Sequence, residues 1–120
     1  MVRLTTKLLF LTLVLTAGCY YDVYDELYPS ECKTENVSYQ ADILPILTGK
    51  CYQCHDAANN QGNVTLEGYD NLKFYANSGQ LLGAIRHDNG FSPMPQSGGK
   101  LSDCYISLFG IWVAEGALNN

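Results

Sequence analysis

Cys51, Tyr52, Gln53, Cys54 and His55 form the stretch of this chain best equipped for chemistry. They read Cys-x-x-Cys-His, the attachment pattern of a c-type haem. Two thiols three positions apart at a helix end can each add to one vinyl group of the same porphyrin. The histidine that follows is then placed to bind the iron through its imidazole. A bare Cys-x-x-Cys is also compatible with a redox dithiol or half of a zinc site. The first needs a βαβ pattern and the second another ligand pair at close spacing, and the sequence supplies neither. The terminal histidine decides for haem. With one such motif and no internal repeat, one haem per chain is expected.

An iron bound by His55 has a second axial position to fill. Met94 is the only methionine besides the initiator. It stands between Pro93 and Pro95, which rule out a helix and fix an extended backbone. A stiff loop holding one thioether is what a distal ligand requires, and His/Met ligation raises the reduction potential. The other uses of these residues are Met94 as an apolar gap-filler and His87 as a rival ligand at a helix end.

Five cysteines are present. Cys51 and Cys54 go to haem and Cys19 to the leader. Cys32 and Cys104 remain, and in an oxidising compartment they can pair. The alternative is two unpaired buried thiols. A bridge would tie the segment before the first helix to the start of the last.

The elements that position these groups follow in chain order. Arg3 and Lys7 precede an apolar run at residues 8–15, too short for a mature membrane span. The leader ends Thr16, Ala17, Gly18, Cys19. Residues 19–37 carry four tyrosines and five acids without sustained periodicity and read as a tether that becomes ordered near Cys32. Ile43, Leu44, Ile46 and Leu47 give a first helix, expected to start near Asp42 as N-cap, with Pro45 harmless in its first turn. Residues 56–64 are polar and read as a loop. Leu66, Tyr69, Leu72 and Tyr75 recur at helical spacing and predict a helix over 68–76. Ser78 is the expected cap of a further helix, with Leu81, Leu82 and Ile85 buried and Arg86 near its end. Asp88, Asn89 and Gly90 follow as a turn. Ser102 and Asp103 open a last helix, with Leu101, Tyr105, Leu108 and Trp112 on one face beside Cys104 and Phe109. It is expected to pack across the first helix, with Trp112 as a core anchor. Gly116 ends it, and residues 118–120 are expected to fray.

The chain has 120 residues and a formal charge of −5, which falls to about −7 once the leader's two cations are gone. An acidic surface argues against nucleic acid as a partner. It suits either docking on a basic redox partner or solubility.

The small residues before Cys19 resemble the lipobox of bacterial lipoproteins, with Thr16 where that family usually has leucine. The resemblance implies lipidation of Cys19, removal of residues 1–18 and anchoring at the periplasmic or cell-surface side of a membrane. A plain secretory cut that leaves Cys19 as a thiol is the other reading. With Cys-x-x-Cys-His, a Pro-Met-Pro loop and a final amphipathic helix, residues 38–117 resemble a small monohaem class I cytochrome c. The leader, the tether and the residue 92–95 loop are similar to short lipoprotein cytochromes of Bacteroidetes-type bacteria. The resemblance implies an all-α fold round one haem c, with Cys51 and Cys54 as its tethers, His55 proximal and Met94 distal. Leu66, Leu82, Ile85, Phe91 and Pro93 are the candidates for the haem crevice.

The domain is accordingly set at 38–120 and its function as electron transfer between an unidentified redox donor and acceptor, without enzymatic activity. A haem-based sensor or peroxidase-like enzyme, with His87 as the available distal base, is the alternative from another class. A third is an accessory subunit of a respiratory complex rather than a free monomer.

Overall fold

The computed structural model describes residues 32–120. The leader, Cys19 with its expected lipidation, and residues 20–31 lie outside the described residues. Every regular element described is helical, so the fold class is all-α. A π turn, Tyr39–Ile43, runs directly into α1, Leu44–Lys50. A single turn α2, Tyr52–His55, follows, then a 3₁₀ turn at Gln61–Asn63. Helix α3 spans Tyr69–Asn77, α4 Gln80–Arg86 and α5 Asp103–Ala114. No described helix is long and apolar enough to cross a membrane.

The first helical segment starts earlier than its sequence suggests. Ser38, not Asp42, is the N-cap, and its Oγ accepts from the Ala41 N–H at 3.2 Å. Asp42 reaches back to accept the Ser38 N–H at 2.7 Å, so the two residues satisfy each other's end of the turn. Lys33 binds the same carboxylate at 2.6 Å and holds the Asp42 pKa below its ordinary value against some burial. Pro45 explains the wide turn before it. Proline offers no N–H and crowds the carbonyl four residues back. Bonds five residues apart, Ile43 N–H to the Ser38 carbonyl and Leu44 N–H to the Tyr39 carbonyl, open the helix just ahead of it.

The last helix behaves largely as its sequence predicts. Ser102 caps it, accepting the Tyr105 N–H at 3.3 Å, and Asp103 lies in the first turn. It packs on the π turn of the first helical segment and on α4. Leu108, Phe109 and Trp112 are buried, the last two fully. The expected face is wrong at one position. Tyr105 is 36% exposed and lines a surface hollow of about 360 Å³ with Pro45, Ile46 and Lys50. Phe109 takes the core position instead. Trp112 stacks on Tyr39 at 6.0 Å between centroids, and Tyr39 meets Tyr69 edge-on at 5.4 Å. This aromatic seam joins the π turn, α3 and α5.

Residues 118–120 do not fray. The Trp112 indole N–H donates to the Leu118 carbonyl at 2.9 Å. The Asn120 carbonyl accepts from the Gln40 N–H at 3.0 Å and the Ser38 hydroxyl at 2.8 Å, and its side-chain oxygen accepts the Tyr39 N–H at 2.8 Å. These are the N–H groups a helix start leaves without intrahelical partners. Glu115 adds a related clamp, its carboxylate accepting the Asn36 and Val37 N–H groups at 2.7 and 2.9 Å. Val37 is buried, so the chain before the first helix is already part of the fold.

Cys32 and Cys104 are joined as a disulfide, with Cα atoms 5.5 Å apart and a sequence separation of 72. A loop of that length restricts the unfolded chain by roughly 4 kcal/mol in the chain-entropy account. Cys32→Ala/Cys104→Ala is expected to lower the unfolding free energy by that order and with it the urea midpoint, read by far-UV circular dichroism. An unchanged midpoint would contradict it.

Candidate functional site

Helix α1 delivers the Cys-x-x-Cys-His residues to a joint rather than carrying them on its own axis. The Cys51 N–H still bonds the Leu47 carbonyl at 2.8 Å, but at Cys51 the backbone turns aside, with φ −113°. The Cys51 carbonyl then accepts from the Cys54 and His55 N–H groups at 3.1 and 3.0 Å. One short turn therefore carries both thiols and the imidazole. Asp56 ends it in an extended conformation and binds the Ala58 and Asn59 N–H groups, starting the predicted polar loop.

His55 is buried. Its Nδ1 lies 3.0 Å from the Val64 carbonyl, and its own carbonyl accepts the Leu66 N–H at 2.8 Å. A carbonyl oxygen can only accept, so Nδ1 carries a proton, and in the neutral ring that leaves the lone pair on Nε2. The described residues give Nε2 no hydrogen-bond partner. This is the arrangement by which a ligating histidine is fixed in tautomer and orientation. Sequence reasoning missed Val64, because the partner is a backbone carbonyl and any residue type supplies one.

Cys51 and Cys54 are free thiols, both half-buried. Burial pushes the Cys51 thiol up to about 11. A redox dithiol depends on a lowered thiol pKa, so the shift runs against that reading. Among the described residues no three His, Cys, Asp or Glu side chains gather as they would around a metal ion. What this turn can do is form two thioethers and offer one imidazole lone pair.

Met94 lies on the loop after α4 and is half-buried. Its N–H donates to the Ala84 carbonyl at 3.0 Å, and its carbonyl lies 3.0 Å from His87 Nε2. His87 sits at the end of α4 with φ +61°. Sequence reasoning sets His87 against Met94 as a rival; the fold joins them by a hydrogen bond. No signal in the sequence reveals that pairing beyond the turn residues between them. Ser78 closes α3, and Gly79, with φ +77°, stands at the N-cap of α4 where Ser78 was expected.

Among the crevice candidates Leu66 and Ile85 are buried and Leu82 half-buried, while Phe91, at 41%, and Pro93 are exposed. The Phe91 ring lies against the Gly83 backbone, where an added Cβ would come within 2.5 Å of it. That contact seats one side of the ring on α4 and leaves the rest exposed. No hydrogen bond among the described residues links the Cys51–His55 turn to the Met94 loop. Two surface hollows of about 360 and 370 Å³ are lined by neither group.

Compared with protein-family models, curated proteins and solved structures, the chain matches none.

Proposed function

We propose that this chain is a monohaem c-type cytochrome that carries electrons outside the cytoplasm. The observation that carries the reading is the His55 imidazole, with Nδ1–H spent on Val64 and Nε2 left as a donor, on the same turn as two free thiols. The donor set fits a c-type haem. When bound, that group supplies a one-electron Fe(III)/Fe(II) couple.

The residues divide the work as follows. Cys51 and Cys54 would hold the porphyrin, each thiol adding its S–H across one vinyl group to give a thioether. His55 would offer Nε2 to the iron, with the Val64 carbonyl keeping the ring in the tautomer that allows it. Met94 would offer its thioether from a loop tied to α4. With two ligands supplied by this chain, no catalytic residue would be needed for electron transfer. The partners are then a redox donor and acceptor, met by a monomer or by a larger respiratory complex. Lipidation at Cys19 would keep the domain at a membrane surface. Nucleic acid is not a partner on this reading.

The test is the visible spectrum of holoprotein made with haem-attachment machinery, oxidised and reduced. Wild type is expected to be low-spin with a weak far-red sulfur-to-iron band and to cycle reversibly between oxidation states. Met94→Ala is expected to lose the band and to bind carbon monoxide when reduced. A high-spin wild type that itself binds carbon monoxide tightly would replace the carrier with a sensor or a peroxidase-like enzyme.

A further inference from the structure

The loop that carries Met94 leaves α4 and returns to the same turn. The His87 N–H bonds the Ala84 carbonyl at 3.2 Å, and the Met94 N–H bonds that same carbonyl at 3.0 Å. The Asp88 N–H bonds the Gly83 carbonyl at 2.9 Å, and the Phe91 N–H the Asp88 carbonyl at 3.2 Å. His87 closes the loop a second time, from its ring. Nε2 is the atom facing the Met94 carbonyl, so Nε2 carries the proton and donates.

The backbone makes this choice of residue informative. His87 occupies the left-handed region that commonly follows a helix, where glycine is the usual and least hindered residue. A histidine there carries a steric cost that glycine does not. What it adds is the ring bond to Met94. The ring is exposed, so burial does not account for it either.

We infer that His87 is a positioning residue for Met94: its imidazole N–H holds the Met94 carbonyl and thereby keeps the thioether available to the iron against competing ligands. This rests on the reading of Met94 as an axial ligand.

His87→Gly separates the ring from the backbone, because glycine accepts the same conformation without strain. In the holoprotein, imidazole is titrated against the sulfur-to-iron band, with Met94 amide hydrogen exchange and the urea midpoint measured in parallel. Loss of one hydrogen bond is expected to lower the imidazole concentration that abolishes the band by roughly threefold to tenfold. Met94 amide exchange should quicken while the urea midpoint holds. A band present in wild type with the same imidazole midpoint in His87→Gly overturns the brace and leaves the ligand assignment standing. A wild type without the band overturns the ligand assignment and the brace together.

Discussion

On the proposed covalent-haem reading, alanine at both Cys51 and Cys54 is expected to yield protein from which acidified acetone strips all haem. Either single alanine should leave haem that resists extraction. One thioether is a full covalent bond, so the first bond secures retention and the second adds little to it. The thiols have no competing role: both are free, while Cys32 and Cys104 are bonded to each other. The effect should therefore be confined to attachment, with the Cys32–Cys104 bridge intact by mass spectrometry. Extractable haem in the wild type itself would sink the covalent assignment.

Trp112→Ala is expected to cost about 3–5 kcal/mol, the range for emptying a buried large aromatic site. Trp112 is fully buried, stacks on Tyr39 and gives its indole N–H to the Leu118 carbonyl. Its loss would take the indole donor from the Leu118 carbonyl as well as open a cavity, while the residue 112 backbone carbonyl, which accepts the Ala117 N–H at 2.8 Å, is kept. A domain is typically stable by only ~5–15 kcal/mol, so the variant should stand near its unfolding threshold. Trp112→Phe keeps most of the volume and loses the donor, and is expected to cost markedly less. Urea titration followed by far-UV circular dichroism decides this; fluorescence cannot, since Trp112 is the only tryptophan. Equal midpoints for the alanine variant and wild type would refute the assignment of Trp112 as anchor.

What could be read from the sequence was local. Ser102 followed by Asp103 and an apolar stripe is a complete helix-start signal within one turn, and α5 begins there. The apolar spacing of Leu66, Leu72 and their neighbours likewise predicts α3 within a residue. The errors fall where the partner is distant or the geometry irregular. Asp42 has the chemistry of an N-cap, yet it serves from inside a π turn whose five-residue bonds no 3.6-residue period describes. Asn120 carries no local order signal, because the groups it binds lie about eighty positions earlier in the chain. Tyr105 and Phe109 differ by four positions on one helix, so the face alone cannot say which neighbour's edge leaves one of them uncovered. At the candidate site, residue types nominate the thiols, His55 and Met94, whereas the contacts that His55 and Met94 make, to the Val64 carbonyl and the His87 ring, depend on the folded loops.

The bonds from Glu115 to Asn36 and Val37, and from Asn120 to Ser38, Tyr39 and Gln40, also set an order of events. A chain emerging from a ribosome or a translocation channel with its amino end first presents residues 36–40 early. Except for Ser38, whose N–H is met by Asp42, these N–H groups have their acceptors at residues 115–120. The start of the first helix is therefore complete only when residues 115–120 are also in place, and the Cys51–His55 turn lies in sequence between the two segments that close it.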